Sequence, residues 1–337
     1  MLKKSDLADS LILDCLRDHF DLQPTHLDFL PLGADARTAV YRASDGQEAL
    51  FVKLQREAFN PVSVLVPYLL HESGIDAIIA PLPGRGGQLW VSLGNYQLVL
   101  YPFVEGTHGF ERELSPENWV ALGHALRQIH SADVSPDVLG AMPEGTFSPH
   151  WRLAAMDYQR AARRDSFADP VAAALAALLR NRQAEIDALI EQGDRLARVL
   201  VRRRLPHVIC HADIHVGNVL VTPAGHLYVV DWDTLTLAPK EQDLMFPGAG
   251  IGPGVRLSHD EQAALFFEGY GVTDIDREAI AYFRCERIVQ DVCAYCEQIL
   301  HTSGENPDRQ QGLRQLENQF WPGGVVERAL QSVATAG

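Results

Sequence analysis

The hydrophobic pattern of this chain shifts from mostly strand-like to mostly helical near residues 104–106, and that shift constrains the fold more than any other feature. Before it, strand-like runs cover 25–32, 38–43, 48–54, 88–93 and 97–103. Asp45-Gly46 separates the second and third runs, and an Asp-Gly pair between apolar runs is a strong hairpin signal. Residues 6–20 place Leu7, Leu11, Leu16 and Phe20 on one side of a helix. Asn60-Pro61 opens another helix, since Asn accepts from the first free amides and Pro suits the first turn. Ser73-Gly74 closes it. These signals predict a small five-stranded antiparallel sheet with one inserted helix. After Glu105-Gly106 the apolar spacing becomes helical. Helices are expected from Ser115-Pro116-Glu117, from Asp169-Pro170, from the capping box Ser258-His-Asp-Glu261 and over 276–300. Two short strands, 217–222 and 226–231, interrupt that region around Pro223-Ala-Gly225. The expectation is an α+β protein with an N-terminal sheet domain, 1–104, and a mostly helical domain, 105–337.

Charge and composition narrow the partners. The net charge is −15, and residues 105–337 hold 21 Lys/Arg against 32 Asp/Glu. Such a surface is a poor match for nucleic acid and a fair one for a cationic small molecule. The longest apolar runs, such as Ala172–Leu179, are far short of the ~20 residues a membrane span needs. Met1-Leu-Lys-Lys-Ser-Asp has no apolar signal core, so a cytoplasmic protein is expected. Five cysteines with loose spacing do not suggest a disulfide framework. Cys293-Ala-Tyr-Cys296 lacks the second ligand pair a zinc site wants and reads as two small buried residues on one helix face.

The densest polar constellation is His211-Ala-Asp213-Ile-His215-Val-Gly-Asn218, followed thirteen residues later by Asp231-Trp-Asp233 at a strand end. A strand, turn and strand would bring Asp213, Asn218 and Asp231 to one mouth. Two carboxylates and an amide oxygen are hard ligands that suit Mg²⁺, and one carboxylate can instead orient a substrate hydroxyl. The spacing is the protein-kinase pattern H-x-D-x-x-x-x-N with a later strand-end Asp. Its mechanics make Asp213 the catalytic base and Asn218 and Asp231 the metal ligands. A kinase also needs a lysine on its third strand. Lys53 ends Leu50-Phe-Val-Lys53 and is the one lysine between Lys4 and Lys240. Gly33-Ala-Asp-Ala-Arg-Thr-Ala39 stands where a phosphate-covering loop belongs, with a single glycine. The Tyr101–Phe103 backbone would meet the adenine edge. A glutamate partner for Lys53 is not evident: Glu57 precedes the inserted helix and Glu72 ends it.

On these motifs the chain resembles the aminoglycoside phosphotransferase family, and within it most closely the spectinomycin phosphotransferases. The likeness runs through Gly33-Ala-Asp35, Leu70-His-Glu-Ser-Gly-Ile75, Leu126-Arg-Gln-Ile-His130, Cys210–His215, Gly217-Asn-Val-Leu-Val221 and Asp231-Trp-Asp233. It continues through Leu237-Ala-Pro-Lys-Glu241, Asp243-Leu-Met-Phe246 and Glu286-Arg-Ile-Val289. The resemblance implies a bilobal, eukaryotic-protein-kinase-like fold and ATP- and Mg²⁺-dependent phosphorylation of an amino-sugar or aminocyclitol hydroxyl. It implies that Asp213 accepts the hydroxyl proton and that Lys53, Gly33, Asp35, Tyr101 and Phe103 hold the nucleotide. An acidic pocket in the helical domain would take the cationic acceptor, with His215, Trp151, Glu286, Asp291 and Tyr295 as candidate contacts. Ala212 replaces the arginine of regulated protein kinases, which implies a constitutively competent enzyme.

Other roles stay open on sequence alone. His211 reads as a loop-shaping residue, Trp232 as core, and Asp243 as an anchor for the catalytic loop. The phosphate-end motifs do not separate an antibiotic kinase from a metabolic kinase acting on choline, methylthioribose or homoserine, or from a nucleotide-binding pseudokinase. A zinc hydrolase using His211-x-Asp213-x-His215 would leave Asn218, Asp231 and Lys53 without roles.

Overall fold

The structure, a computed structural model, describes residues 4–33, 37–56, 59–252, 254–302 and 307–336. In chain order the first elements are α1 (Asp9–Phe20), β1 (His26–Leu30), β2 (Thr38–Ser44), β3 (Ala49–Arg56), α2 (Val62–Glu72), β4 (Trp90–Leu93), β5 (Tyr96–Pro102) and β6 (Thr107–His108). Then come α3 (Pro116–His130), α4 (Pro136–Ala141), α5 (His150–Arg164), α6 (Pro170–Asn181), α7 (Gln183–Arg203), β7 (His207–Cys210), β8 (Val219–Val221), β9 (Leu227–Val229) and β10 (Thr236–Pro239). The chain ends with α8 (Glu241–Leu244), α9 (His259–Tyr270), α10 (Arg277–Leu300), α11 (Pro307–Gln319) and α12 (Val325–Ala336).

These elements group into two compact units. Residues up to 111, with 131–142 and 218–235, form a sheet unit; 112–130, 143–217 and the chain from 236 onward form a helical unit. A single cut after residue 104 is therefore too simple. The β8–β9 pair joins the sheet unit because β6 pairs with β8 and the Val229 amide donates to the Ala77 carbonyl at 2.8 Å.

In the sheet unit the strand order is β1-β2-β3-β5-β4, antiparallel throughout. Alternation along each strand sorts the side chains onto two faces. Tyr41, Val52, Leu54, Leu98 and Leu100 pack with Ile12 and Leu16 of α1. Val99 packs with Val64 of α2 and with Leu89 in a separate cluster. Lys53 stands between Val52 and Leu54, so it is directed away from the α1 face. The start of α2 follows from Asn60, whose Oδ1 accepts from the Val62 amide at 3.3 Å.

In the helical unit α10 supplies Ile288, Val289, Val292 and Ile299 to a core shared with Leu175 and Leu179 of α6, Ile186 and Leu189 of α7, and Leu316 of α11. The expected caps are present: Asp169 accepts from the Ala172 amide, and Ser258 and Glu261 form the capping box. Cys293 and Cys296 are buried free thiols on α10, and burial pushes the Cys293 thiol up to about 12. Among the described residues no helix is long and apolar enough to cross a membrane.

Helices α3 and α9 cross at two glycines. A Cβ on Gly123 would lie 2.1 Å from the Phe266 carbonyl oxygen, and one on Gly269 would lie 1.9 Å from the Val120 carbonyl oxygen. The atoms in the way are backbone, so neither helix can yield by changing a rotamer. Gly269→Ala is expected to destabilise the protein by about 3 kcal/mol, the upper end of ordinary overpacking, measured as a lowered urea midpoint. A loss below 0.5 kcal/mol would mean that the crossing is looser than described.

Candidate active site

The sheet unit carries the lysine and the later acidic residues. Lys53 on β3 donates to both carboxylate oxygens of Asp233, at 2.8 and 2.7 Å. Among the described residues Asp233, rather than Glu72, is the carboxylate paired with Lys53. Glu72 is exposed at the last position of α2, and Glu57 lies outside the described residues, as does Asp35. Asn218 is 8% exposed, and its main-chain carbonyl accepts from the Val230 amide at 3.0 Å, which ties it next to the strand end bearing Asp231. Asp231 has a left-handed backbone, φ 66 and ψ 70, where the chain leaves β9 for a single tight turn. Aspartate tolerates this conformation better than most residues.

Tyr101 on β5 belongs to the same unit. Burial, with the carboxylates of Asp233 and then Asp231 nearby, pushes its phenol above the ordinary range. Phe103 follows β5; its amide donates to the Ala49 carbonyl at 3.2 Å, and the Arg42 guanidinium lies 5.1 Å from its ring centre. Gly33 has φ 97, a conformation that only glycine adopts at little cost. Lys53, Tyr101, Asp231 and Asp233 thus share one electrostatic neighbourhood. Asn218 and Asp231 are oxygen donors of the hard type that a magnesium ion prefers.

The helical unit carries the loop 211–217. Its anchor is Asp243, fully buried on α8. Asp243 Oδ2 accepts from the His211 amide at 2.8 Å, and Oδ1 accepts from the Ala212 amide at 2.7 Å. His130 Nε2 lies 3.0 Å from the same Oδ2. These bonds hold Ala212 at φ 66, a strained value for a residue with a Cβ. His211, fully buried, accepts from the Asp213 amide through Nδ1 at 3.2 Å, which is a loop-shaping contact.

Asp213 pairs with Arg287 of α10, and His215 Nε2 lies 3.6 Å from Asp213 Oδ1. His215 Nδ1 accepts from the Gly217 amide at 3.0 Å, so the neutral ring carries its proton on Nε2, toward Asp213. Burial first, then Arg287 and His211, lowers the His215 pKa to about 4, against the opposing pull of Asp213. Arg287 also donates through Nε to Asp291 Oδ1 at 3.0 Å, and Gln319 donates to Asp291 Oδ2 at 2.8 Å. Burial raises the Asp291 carboxyl against these two partners.

The remaining acceptor candidates separate. Glu286 is 6% exposed and paired with Arg152, itself 2% exposed, which also holds Asp194 at 2.7 Å. Burial pushes the Glu286 carboxyl up while Arg152 pulls it down. Glu286 is thus a core ion-pair member turned away from Asp213's cluster, although it neighbours Arg287 in sequence. Adjacent helical positions point about 100° apart. Trp151 and Tyr295 pack half-buried on the α10 core. The Trp151 ring meets His150 at 4.8 Å, and the Tyr295 hydroxyl bonds Gln315 at 3.3 Å.

A lysine-bearing antiparallel sheet, a His-x-Asp loop running into Asn218 and a strand followed closely by Asp231 define a phosphotransferase of the kinase-like fold. The chain belongs to the phosphotransferase enzyme family, whose model matches residues 28–283, and it is a small-molecule kinase. The crystal structure of spectinomycin phosphotransferase APH(9)-Ia with ADP and spectinomycin superposes with a TM-score of 0.88 at 30% identity. That match covers 97% of this chain and 99% of the other. The AMP complex of the same enzyme gives 0.83 at 30% identity, covering 95% and 98%. Protein StrN of Streptomyces griseus is 28% identical over 239 residues, 69% of this chain and 73% of its own length. A microcompartment-associated aminopropanol kinase, at 16% identity and a TM-score of 0.62 over 98% and 96% of the two chains, shares the fold.

The low pKa of His215 gives a testable pH dependence. Folded His215 binds its proton only near pH 4, whereas an unfolded histidine binds one below about 6.5. The unfolded state therefore holds more protons between these values, and stability falls as pH drops from about 6.5 toward 4. The loss attributable to His215 is about 3 kcal/mol at most. Urea unfolding of His215→Gln against wild type is expected to show a flatter pH profile in that window. Parallel profiles would remove His215 as the cause.

Proposed function

We propose that this protein transfers the γ-phosphoryl group of ATP to a hydroxyl of an aminoglycoside or aminocyclitol, with spectinomycin as the acceptor. The observation that carries this reading is the end-to-end likeness, at 30% identity, to a spectinomycin phosphotransferase solved with ADP and spectinomycin. The net −11 of residues 105–337 supports a cationic acceptor.

Each residue then has a task. Lys53 leaves Asp233 or shares it to meet the α- and β-phosphates. The backbone of Tyr101–Phe103 meets the adenine edge, and the turn at Gly33 covers the phosphates, with Asp35 in the same loop. Asn218 and Asp231 would hold Mg²⁺, which when bound neutralises charge on the phosphates. Asp213 orients the acceptor hydroxyl and takes its proton. The acceptor oxygen bonds to the γ-phosphorus, the bond from that phosphorus to the β–γ bridging oxygen breaks, and ADP leaves with the electron pair. His215, neutral at pH 7, lines the acceptor side, and Trp151 and Tyr295 wall it. Asp291 stands behind the acceptor side, paired with Arg287, whereas Glu286 is left to the core.

ADP release is to be measured with Mg-ATP and spectinomycin, streptomycin, kanamycin, hygromycin, choline or methylthioribose. Turnover is expected with spectinomycin alone. Asp213→Asn is expected to lower kcat by about 10²–10⁴-fold, the usual worth of a positioned base. Lys53→Met should raise the KM for ATP. Turnover with choline or methylthioribose in place of the antibiotics would sink the acceptor assignment and leave the kinase.

A further inference from the structure

Asp243 holds the backbone of the catalytic loop, but it does not fix the plane of the Asp213 carboxylate. That plane decides the direction from which a proton can be received. In the helical unit Arg287 touches this carboxylate from 74 positions further along the chain. Its Nη1 donates to Asp213 Oδ1, and its Nε donates to Asp291 Oδ1, one helical turn on, at 3.0 Å. Its guanidinium carbon lies 5.7 Å from the centre of the Phe246 ring. Two bonds in a planar fork and a ring beneath leave the group little freedom. Asp291 is braced in turn, because Gln319 at the end of α11 donates to its other oxygen at 2.8 Å.

We propose that Arg287 is a positioning residue for phosphoryl transfer, orienting the Asp213 carboxylate, with Asp291 and Gln319 bracing it from behind. The inference rests on reading Asp213 as the group that takes the acceptor proton. It also changes the role of Asp291. Both of its oxygens serve the brace, so it acts on the acceptor through Arg287 and Asp213. Without Arg287, two neighbouring carboxylates repel each other and Asp213 loses the charged donor that orients its carboxylate. A misplacement of about 1 Å can cost on the order of 10²-fold in rate. Lysine keeps the charge but not the fork, so it can satisfy one carboxylate well but not both in one plane.

The test uses the full chain as wild type, Arg287→Gln, Arg287→Lys, Asp291→Asn and Gln319→Ala. In Arg287→Gln, kcat is expected to fall about 30–100-fold, while the KM for ATP stays within about twofold. Arg287→Lys should recover part of that loss. Gln319→Ala should cost about three- to fivefold alone and less than about twofold more in the Arg287→Gln background, because the brace works through the arginine. In crystals, the Asp213 carboxylate of Arg287→Gln should be turned out of its wild-type plane. An Arg287→Gln kcat within about threefold of wild type, or losses that multiply with Gln319→Ala, would overturn the proposal. If Arg287→Gln does not fold, Gln319→Ala carries the same split between kcat and KM, and an unchanged kcat overturns it. If wild type phosphorylates none of the antibiotics, the acceptor reading alone fails. The Asp213 plane in the two crystal structures then still decides the proposal, and an unturned plane rejects it.

Discussion

The helical unit is organised around one buried carboxylate. Asp243 has no exposure, and its two oxygens take the His211 and Ala212 amides. A buried charge of this kind is costly unless donors surround it, and here two main-chain amides and the His130 ring supply them. His130 is the last residue of α3 and also meets the hydroxyl of Tyr270, the last residue of α9. Those two helices are the pair brought together by Gly123 and Gly269. The left-handed backbone at Ala212, the neutral His215 and the reach of Arg287 to Asp213 all presuppose that this loop is fixed.

Much of this was legible because the relevant signals are local. The Asp45-Gly46 hairpin, the Asn60-Pro61 helix start and the Ser258–Glu261 capping box all appear where backbone chemistry places them. The five strands of the sheet were readable from apolar runs and the turn residues between them. Helix α7 was not, because neither end announces itself. It starts after Arg182 without a side-chain cap and stops at Arg204, which takes φ 50 where glycine is usual. Strands β7 and β10 are four residues each and pair across the 25 intervening positions 211–235, so neither has a nearby turn to mark it.

The same division applies to the site. Lys53, Asp213, Asn218 and Asp231 stand out through spacing, but their partners do not. Asp233 lies two residues past Asp231 in Asp231-Trp-Asp233, yet the kinase pattern asks for a glutamate opposite the lysine. Arg287 was visible only as one arginine in Glu286-Arg-Ile-Val289, among many arginines in the chain. Its neighbour Glu286 was the candidate acceptor contact, and only packing sends one side chain to Asp213 and the other to Arg152. The compact units also divide the constellation between Gly217 and Asn218. The sequence motif is continuous across a boundary that a contiguous domain division would have put a hundred residues earlier.

The five cysteines have a consequence of a different kind. All are buried and unpaired, and burial raises the thiols of Cys15 to about 11 and of Cys285 to about 12. Thiolate is the reactive form, so in the folded molecule these groups are both shielded and chemically quiet. Four of them, Cys210, Cys285, Cys293 and Cys296, belong to the helical unit, and Cys15 to the sheet unit. The native chain therefore carries its own clock in each unit. A thiol reagent gains access only when that unit opens, and the order in which cysteines are modified records which part of the molecule breathes first.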